Sequence, residues 1–436
     1  MTRPASRLGI AIPSLLATVC MPALLAAGPY DDEPEQNGPF HDPVAVLQDK
    51  LDSKAQSLTY DDDFGYLKSV LDALEVPKSS QVLVFTKTSF QRNLIAPETP
   101  RAIYFGDDAY VGFVQGGDVL ELASVDPERG TVFYTLPQRR TTQPKFVRQT
   151  HSCLQCHESG MTGGIPGHLM RSVYPDNRGM PILSAGTFVT TSQSPLADRW
   201  GGWYVTGTHG AQKHMGNAVA SKPEEADELQ KSPQGLNVTD LSRFFNTSLY
   251  LTPHSDITAL MVAEHQTYLQ NALAKAAGEA KRAVRDSEVL NKALNRPVDE
   301  LTDSGRSRIQ HTGDRLVRAL LCCQEARLTD KITGTSDFAK EFESHGPRDR
   351  QGRSLRDLDL ERRLFRYPCS YLIYSPAFDR LPEVLKEYVW QKLWSVLSGQ
   401  DQSADFAHLS AEDRQGIVEI LRETKPDLPA YWRQLP

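Results

Sequence analysis

Cysteine is scarce in this chain. There are six in 436 residues, and only Cys153 and Cys156 have CxxC spacing. No second CxxC follows, so the ligand set of a four-cysteine zinc site is missing. No basic tract interrupts a composition with formal net charge -7. Such a surface repels nucleic acid and anionic lipid, and neither is expected as a partner. No internal repeat is present, which excludes a repeat array. Long apolar runs are also missing, with one exception at the uncharged residues 8–27.

That run follows Arg3 and Arg7, ends in the small-residue stretch "LLAAG", and gives way to acidic residues from Asp31. A positive start, an apolar middle and a small-residue end form the pattern of a secretory signal peptide, expected at 1–27 and cut near Ala27. The run is long enough to cross a bilayer once. Pro13, Pro22 and the small residues at its end favour cleavage over anchoring. The expectation is therefore a periplasmic or secreted protein without stable membrane insertion, joined through an acidic linker at 28–42. With 39% hydrophobic and 24% charged residues, the remainder is ordinary globular material.

Three regions follow, and together they predict an α+β fold. In region 43–143, Val44, Leu47 and Leu51 make one helical stripe, and Leu67, Val70, Leu71 and Leu74 a second that Pro77 ends. "QVLVFTKTSF", "RAIYF", "AYVGFVQ", "VLELASV" and "TVFYTL" are rich in β-branched and aromatic residues and separated by turn compositions. They predict an antiparallel meander over 81–136. Region 144–250 is rich in Gly and Pro and suited to wrapping around something. Region 251–436 is helical by periodicity, with caps at the start of "SDITALM" and at Ser410.

The wrapping region contains "HSCLQCHESG", residues 151–160. Cys153, Cys156 and His157 are an awkward zinc set, because two of the three are sequence neighbours. A thioredoxin-like disulfide belongs in a βαβ setting, and the strands here read as antiparallel. Covalent haem accounts for every residue. Two thiols at this spacing can add to the two vinyl groups of one porphyrin, and the adjacent imidazole can bind the iron. Export supplies the compartment where such attachment occurs.

Residues 153–157, "CLQCH", resemble the haem-binding site of the mono-haem c-type cytochromes. The resemblance implies one covalent haem c, with Cys153 and Cys156 carrying the thioethers and His157 as proximal iron ligand. Tracts such as "GGIPGHLMRSVYPD", "RWGGWYVTGTHG" and "RYPCSYLIYSPAF" are similar to larger secreted bacterial proteins with a cytochrome c domain, which carry no assigned activity. A second covalent haem is excluded by the lack of a second CxxCH.

The sixth iron ligand separates an electron carrier from an enzyme. The loop "GTHGAQKHMGN" offers His214 first, His209 next and Met215 third, after an aromatic tract able to cover a porphyrin edge. Met180, in "NRGMPIL", and His168 are the next candidates. Arg148, Arg171, Arg178 and Arg199 are candidate partners for the two propionates, more than two propionates need. Met261 and His265, four apart on one helix face, read either as core or as an approach to the haem or a second metal. Cys322, Cys323 and Cys369 read as a possible disulfide or as small apolar core residues. The resulting expectation is one-electron transfer to a redox partner protein. A mono-haem enzyme with an open distal site, or a haem-based sensing or scaffold module, are the alternatives.

Overall fold

The meander forms because five of its segments alternate between two cores. The computed structural model describes residues 38–220, 225 and 233–433. The expected signal segment at 1–27 and most of the 28–42 linker lie outside the described residues. Strands β1 (Val82–Val84), β2 (Arg101–Phe105), β3 (Ala109–Phe113), β4 (Val119–Asp126), β5 (Gly130–Pro137) and β6 (Val147–Arg148) pair antiparallel with their chain neighbours. One strand joins out of sequence order. β9 (Trp203–Tyr204) pairs with β1 through Leu83 opposite Tyr204 and Val84 opposite Trp203, giving the order β6-β5-β4-β3-β2-β1-β9.

Along β2, Ala102 and Tyr104 point into one core, and Ile103 and Phe105 into the other. This period of two is what a sheet buried on both faces requires. The first face is covered by α1 (Pro43–Asp52) and α2 (Leu67–Ala73), whose Val44, Leu47, Leu67, Val70 and Leu71 meet Leu120, Leu122 and Leu136. Asp42 caps α1 by accepting from the Val44 and Ala45 amides, and it also accepts from the Tyr134 hydroxyl at 2.8 Å. The helix start is thereby tied to β5.

The second face receives most of the rest of the chain, while Val238, Leu241, Phe245 and Tyr250 join the first core. A loop-rich segment crosses it, carrying α3 (Leu154–His157), the hairpin β7 (Arg171–Val173) and β8 (Thr187–Val189), then β9 and β10 (Gly207–Thr208). Beyond it lies α4 (Ile257–Ala293), 37 residues and so about 55 Å long. Asp256 caps it through the Thr258 and Ala259 amides. It packs against α5 (Asp303–Leu320), and β11 (Thr333–Gly334) pairs with β10. Helices α6 (Phe338–Ser344), α7 (Pro376–Asp379), α8 (Glu383–Leu397) and α9 (Ala411–Thr424) complete the C-terminal region. The anticipated Ser410 cap of α9 is a full capping box with Asp413. The fold is α+β, with the strands of the large sheet drawn mainly from the N-terminal region and the C-terminal region helical. No described helix is long and apolar enough to cross a membrane.

Candidate functional site

Residues 153–157 fold into a single helical turn. The His157 amide donates to the Cys153 carbonyl at 3.0 Å, and Glu158 donates to Leu154 at 2.8 Å. Positions i, i+3 and i+4 of a turn share one side. Cys153, Cys156 and His157 therefore face a common direction. Both thiols are free, Cys153 half-buried and Cys156 exposed.

His157 is gripped by the loop that follows it. Its carbonyl accepts from the Gly167 amide at 2.9 Å, and its Nδ1 lies 2.9 Å from the Gly167 carbonyl. A carbonyl only accepts, so Nδ1 carries the proton and Nε2 keeps the lone pair. Burial pushes the His157 pKa down, which keeps the ring neutral. The ring rests on Phe133 of β5 at 4.6 Å between centroids. The loop can close this tightly because Gly163 and Gly164 take left-handed φ of +75° and +76°, open to glycine without steric cost. At Gly167 a β-carbon would stand 2.6 Å from Oδ1 of Asn271. The absence of a side chain there lets Asn271 of α4 clip both backbone groups of His168, at 2.8 Å each.

His168 itself is buried against Tyr110, rings 4.4 Å apart, and burial drives its pKa down to about 3. Its Nε2 has no hydrogen-bond partner among the described residues. It belongs to the segment that His157 faces with Nδ1.

On the Cys153 side lies an ion pair, Arg101 to Glu121 at 2.9 Å, whose carboxylate also accepts from Ser89 and Gln91. Burial, followed by the Glu121 charge, raises the Cys153 pKa. Several large apolar side chains of the described residues stand in water. Phe90 is 63% exposed, Leu183 71% and Met180 48%, and Val147, Met161, Phe188 and Val189 are exposed as well. Met180 sits on a turn whose backbone is firmly held. Its amide donates to Asp176 Oδ1 and its carbonyl accepts from the Asp176 amide, each at 2.8 Å.

The "GTHGAQKHMGN" loop lies in a different setting. His209, His214 and Met215 are buried together, with the His209 and His214 rings 4.7 Å apart and Trp200 5.5 Å from His214. His214 Nδ1 accepts from the Gly216 amide at 3.0 Å, and His209 Nε2 accepts from the Asn237 amide at 3.1 Å. Each imidazole thus has its lone pair committed to backbone. The aromatic tract before the loop also serves the protein's own interior, Trp200 and Trp203 in one core and Tyr204 in the other. Ser172 Oγ donates to Met215 Sδ at 3.5 Å. Of the four arginines, Arg199 is spoken for. It pairs with Glu264 at 2.9 Å inside the protein and donates to the Ser192 and Ser194 carbonyls. Arg148 lies over the Phe40 ring and Arg171 donates to Thr187.

Two features had no signal in the sequence. One is the Gly167 carbonyl that orients His157, a backbone group ten residues away. The other is the burial of Glu264 and Gln266 on α4, on either side of His265, which breaks the amphipathic pattern of a helix facing an apolar core. No family model, curated protein or solved structure matches the chain.

Proposed function

We propose that the protein is a c-type cytochrome that holds one haem covalently through Cys153 and Cys156 and transfers single electrons to a partner protein. The observation that carries this reading is the orientation of His157. Its Nδ1 proton is fixed by the Gly167 carbonyl, so Nε2 is the nitrogen offered to an iron, and a metal-ligating imidazole commonly donates its other N–H in this way. The residues present fit the group in two further ways. The two thiols and the imidazole share one side of a turn, and exposed apolar side chains at Met161, Met180, Leu183 and Phe188 belong to neighbouring segments of the same region. A flat apolar ligand removes such surface from water at roughly 25 cal/mol per Å².

When bound, haem supplies the Fe(III)/Fe(II) couple, and the chain's part is to set potential and access. His157 supplies the proximal nitrogen, Phe133 backs its ring, and the 157–167 loop keeps the imidazole from rotating. The test is retention. The haem should remain with the polypeptide on a denaturing gel, and Cys153→Ala with Cys156→Ala should remove it completely. An exported protein with no haem-staining band overturns the reading.

A second reading, a haem enzyme with an open distal position, is favoured by the committed lone pairs of His209 and His214. Carbon monoxide binding separates the two. An electron carrier stays low-spin and binds it slowly; an open site is high-spin and binds it fast. His214→Ala should leave the spectrum unchanged if its Nδ1 remains a structural acceptor, whereas Met180→Ala should open the site if the exposed thioether is the sixth ligand. A spin-state change in His214→Ala alone restores the loop as the distal side.

A further inference from the structure

We propose that His265, Cys322 and Glu325 form a buried binding site for one zinc ion. Their ligand atoms lie within 4.8 Å of one another, and His265 Nδ1 is 4.0 Å from Glu325 Oε1. In a tetrahedral zinc site, nitrogen and oxygen ligands at about 2.0–2.1 Å from the metal stand roughly 3.3 Å apart. His265 and Glu325 therefore need to approach by about 0.7 Å, and a pair as wide as 4.8 Å by about 1.2 Å.

Two of the three donor atoms have no other partner. His265 Nδ1 and Glu325 Oε1 are buried with no hydrogen bond among the described residues. Leaving a buried polar atom unpaired costs about 1–3 kcal/mol, and native structures keep few of them. The other nitrogen of His265 is placed as a metal-bound imidazole requires. Nε2 lies 2.8 Å from Ser370 Oγ, which also accepts from the Leu372 amide at 3.2 Å. With Nε2–H donated to the serine, Nδ1 has the lone pair and faces the other two ligands.

Charge points the same way. Burial holds the Cys322 thiol well above its usual pKa and raises Glu325 to about 7, while His265 is pushed down to about 3. A divalent cation reverses this for the acids, because a coordinated thiol is deprotonated. One zinc with one thiolate and one carboxylate is neutral. The guanidinium groups that act on Glu325 are already matched, Arg199 by Glu264 and Arg363 by Asp413. The raised thiol pKa also argues against Cys322 as a nucleophile, which needs the thiolate at neutral pH. Imidazole, thiolate and carboxylate together suit zinc rather than calcium or magnesium, which take oxygen ligands.

The three ligands come from α4, from the turn after α5 and from the segment beyond it, so the ion would join the longest helix to the C-terminal region. Glu325 keeps 10% of its side chain exposed, marking the side from which a water completes four-coordination. None of this depends on the haem assignment.

Metal analysis of the purified full chain tests it. About one zinc per chain is expected in addition to any haem iron, with at least a tenfold loss in Cys322→Ser and in His265→Gln. Wild-type protein refolded with cobalt chloride should show a sulfur-to-cobalt charge-transfer band, which decides the question even if the variants fold poorly. Less than a tenth of an equivalent of zinc with no cobalt uptake overturns the proposal. So does cobalt bound without the sulfur band, unchanged zinc in folded variants, or a thiol count showing Cys322 bonded to Cys369. Iron or copper in place of zinc overturns the choice of ion.

Discussion

The segment around α3 and the first half of α4 break the same packing rule in opposite directions. In the segments before and after α3 in the chain, large apolar side chains such as Phe90, Leu183 and Phe188 stand in water. On α4 and its neighbours, Glu264, His265, Arg199 and Glu325 are enclosed in the core or nearly so. Globular chains ordinarily bury the first kind and expose the second. The contrast therefore separates two needs. An exposed apolar surface next to two thiols and an oriented imidazole suits a flat hydrophobic group. Enclosed unpaired donors next to a thiol suit an ion.

The largest effect on the polypeptide itself should come from the interior side of this comparison. Arg199→Ala leaves the Glu264 carboxyl buried without its cation, and the loss is expected at about 3–5 kcal/mol. Burial already raises the Glu264 pKa against the pull of Arg199, so the orphaned carboxyl should take up a proton rather than remain charged. Urea unfolding of Arg199→Ala and Glu264→Gln measures this. A loss below about 1 kcal/mol in both would show that the pair behaves as an exposed one.

Acid should destabilise the chain next. His168 and His214 are neutral in the fold, each with its pKa pushed down to about 3 by burial. The unfolded chain titrates them near 6.5, so between pH 6.5 and 3 the unfolded state binds more protons. Their stabilising contribution is complete above about pH 6.5 and declines as pH falls through that window. Each is worth up to a few kcal/mol, at roughly 1.4 kcal/mol per pH unit. Thermal denaturation from pH 7.5 to 4 should show a steep decline in the melting temperature. A flat profile would mean that the protonated imidazoles find hydrogen-bond acceptors inside the fold.

The same comparison explains what was legible in the sequence. The strands of the meander were readable because β-branched and aromatic runs alternate with turn residues; β1 to β3 fall inside those runs, and β4 and β5 overrun theirs by one residue at one or both ends. The α9 cap was readable because a capping box is local. What was not legible is long-range. Nothing local says that Trp203 and Tyr204 add to the far edge of β1, and this pairing is what turns the aromatic tract inward. His209 and His214 follow it into the interior, where backbone amides take their lone pairs. The His265, Cys322 and Glu325 cluster joins positions 57 and 60 residues apart, a spacing with no motif behind it.

The smallest effect, and the sharpest test of the comparison, is expected at Leu183. It is 71% exposed, so Leu183→Ser removes little buried surface from the polypeptide alone. Exposed substitutions of this kind usually change stability by less than about 0.5 kcal/mol. If the apolar rim covers a covalently held haem, the same substitution acts differently once the group is present. It then exposes the porphyrin edge to water, which lowers the stability of the loaded form and shifts its potential, because solvent exposure tunes a haem. The experiment compares Leu183→Ser in the wild-type chain with Leu183→Ser in a chain that also carries Cys153→Ala and Cys156→Ala. A melting temperature lowered only in the haem-bearing protein, with a measurable potential shift, supports the rim as a haem cover. Equal changes in both chains would assign Leu183 to the packing of the polypeptide itself and separate the exposed apolar surface from the thiols beside it.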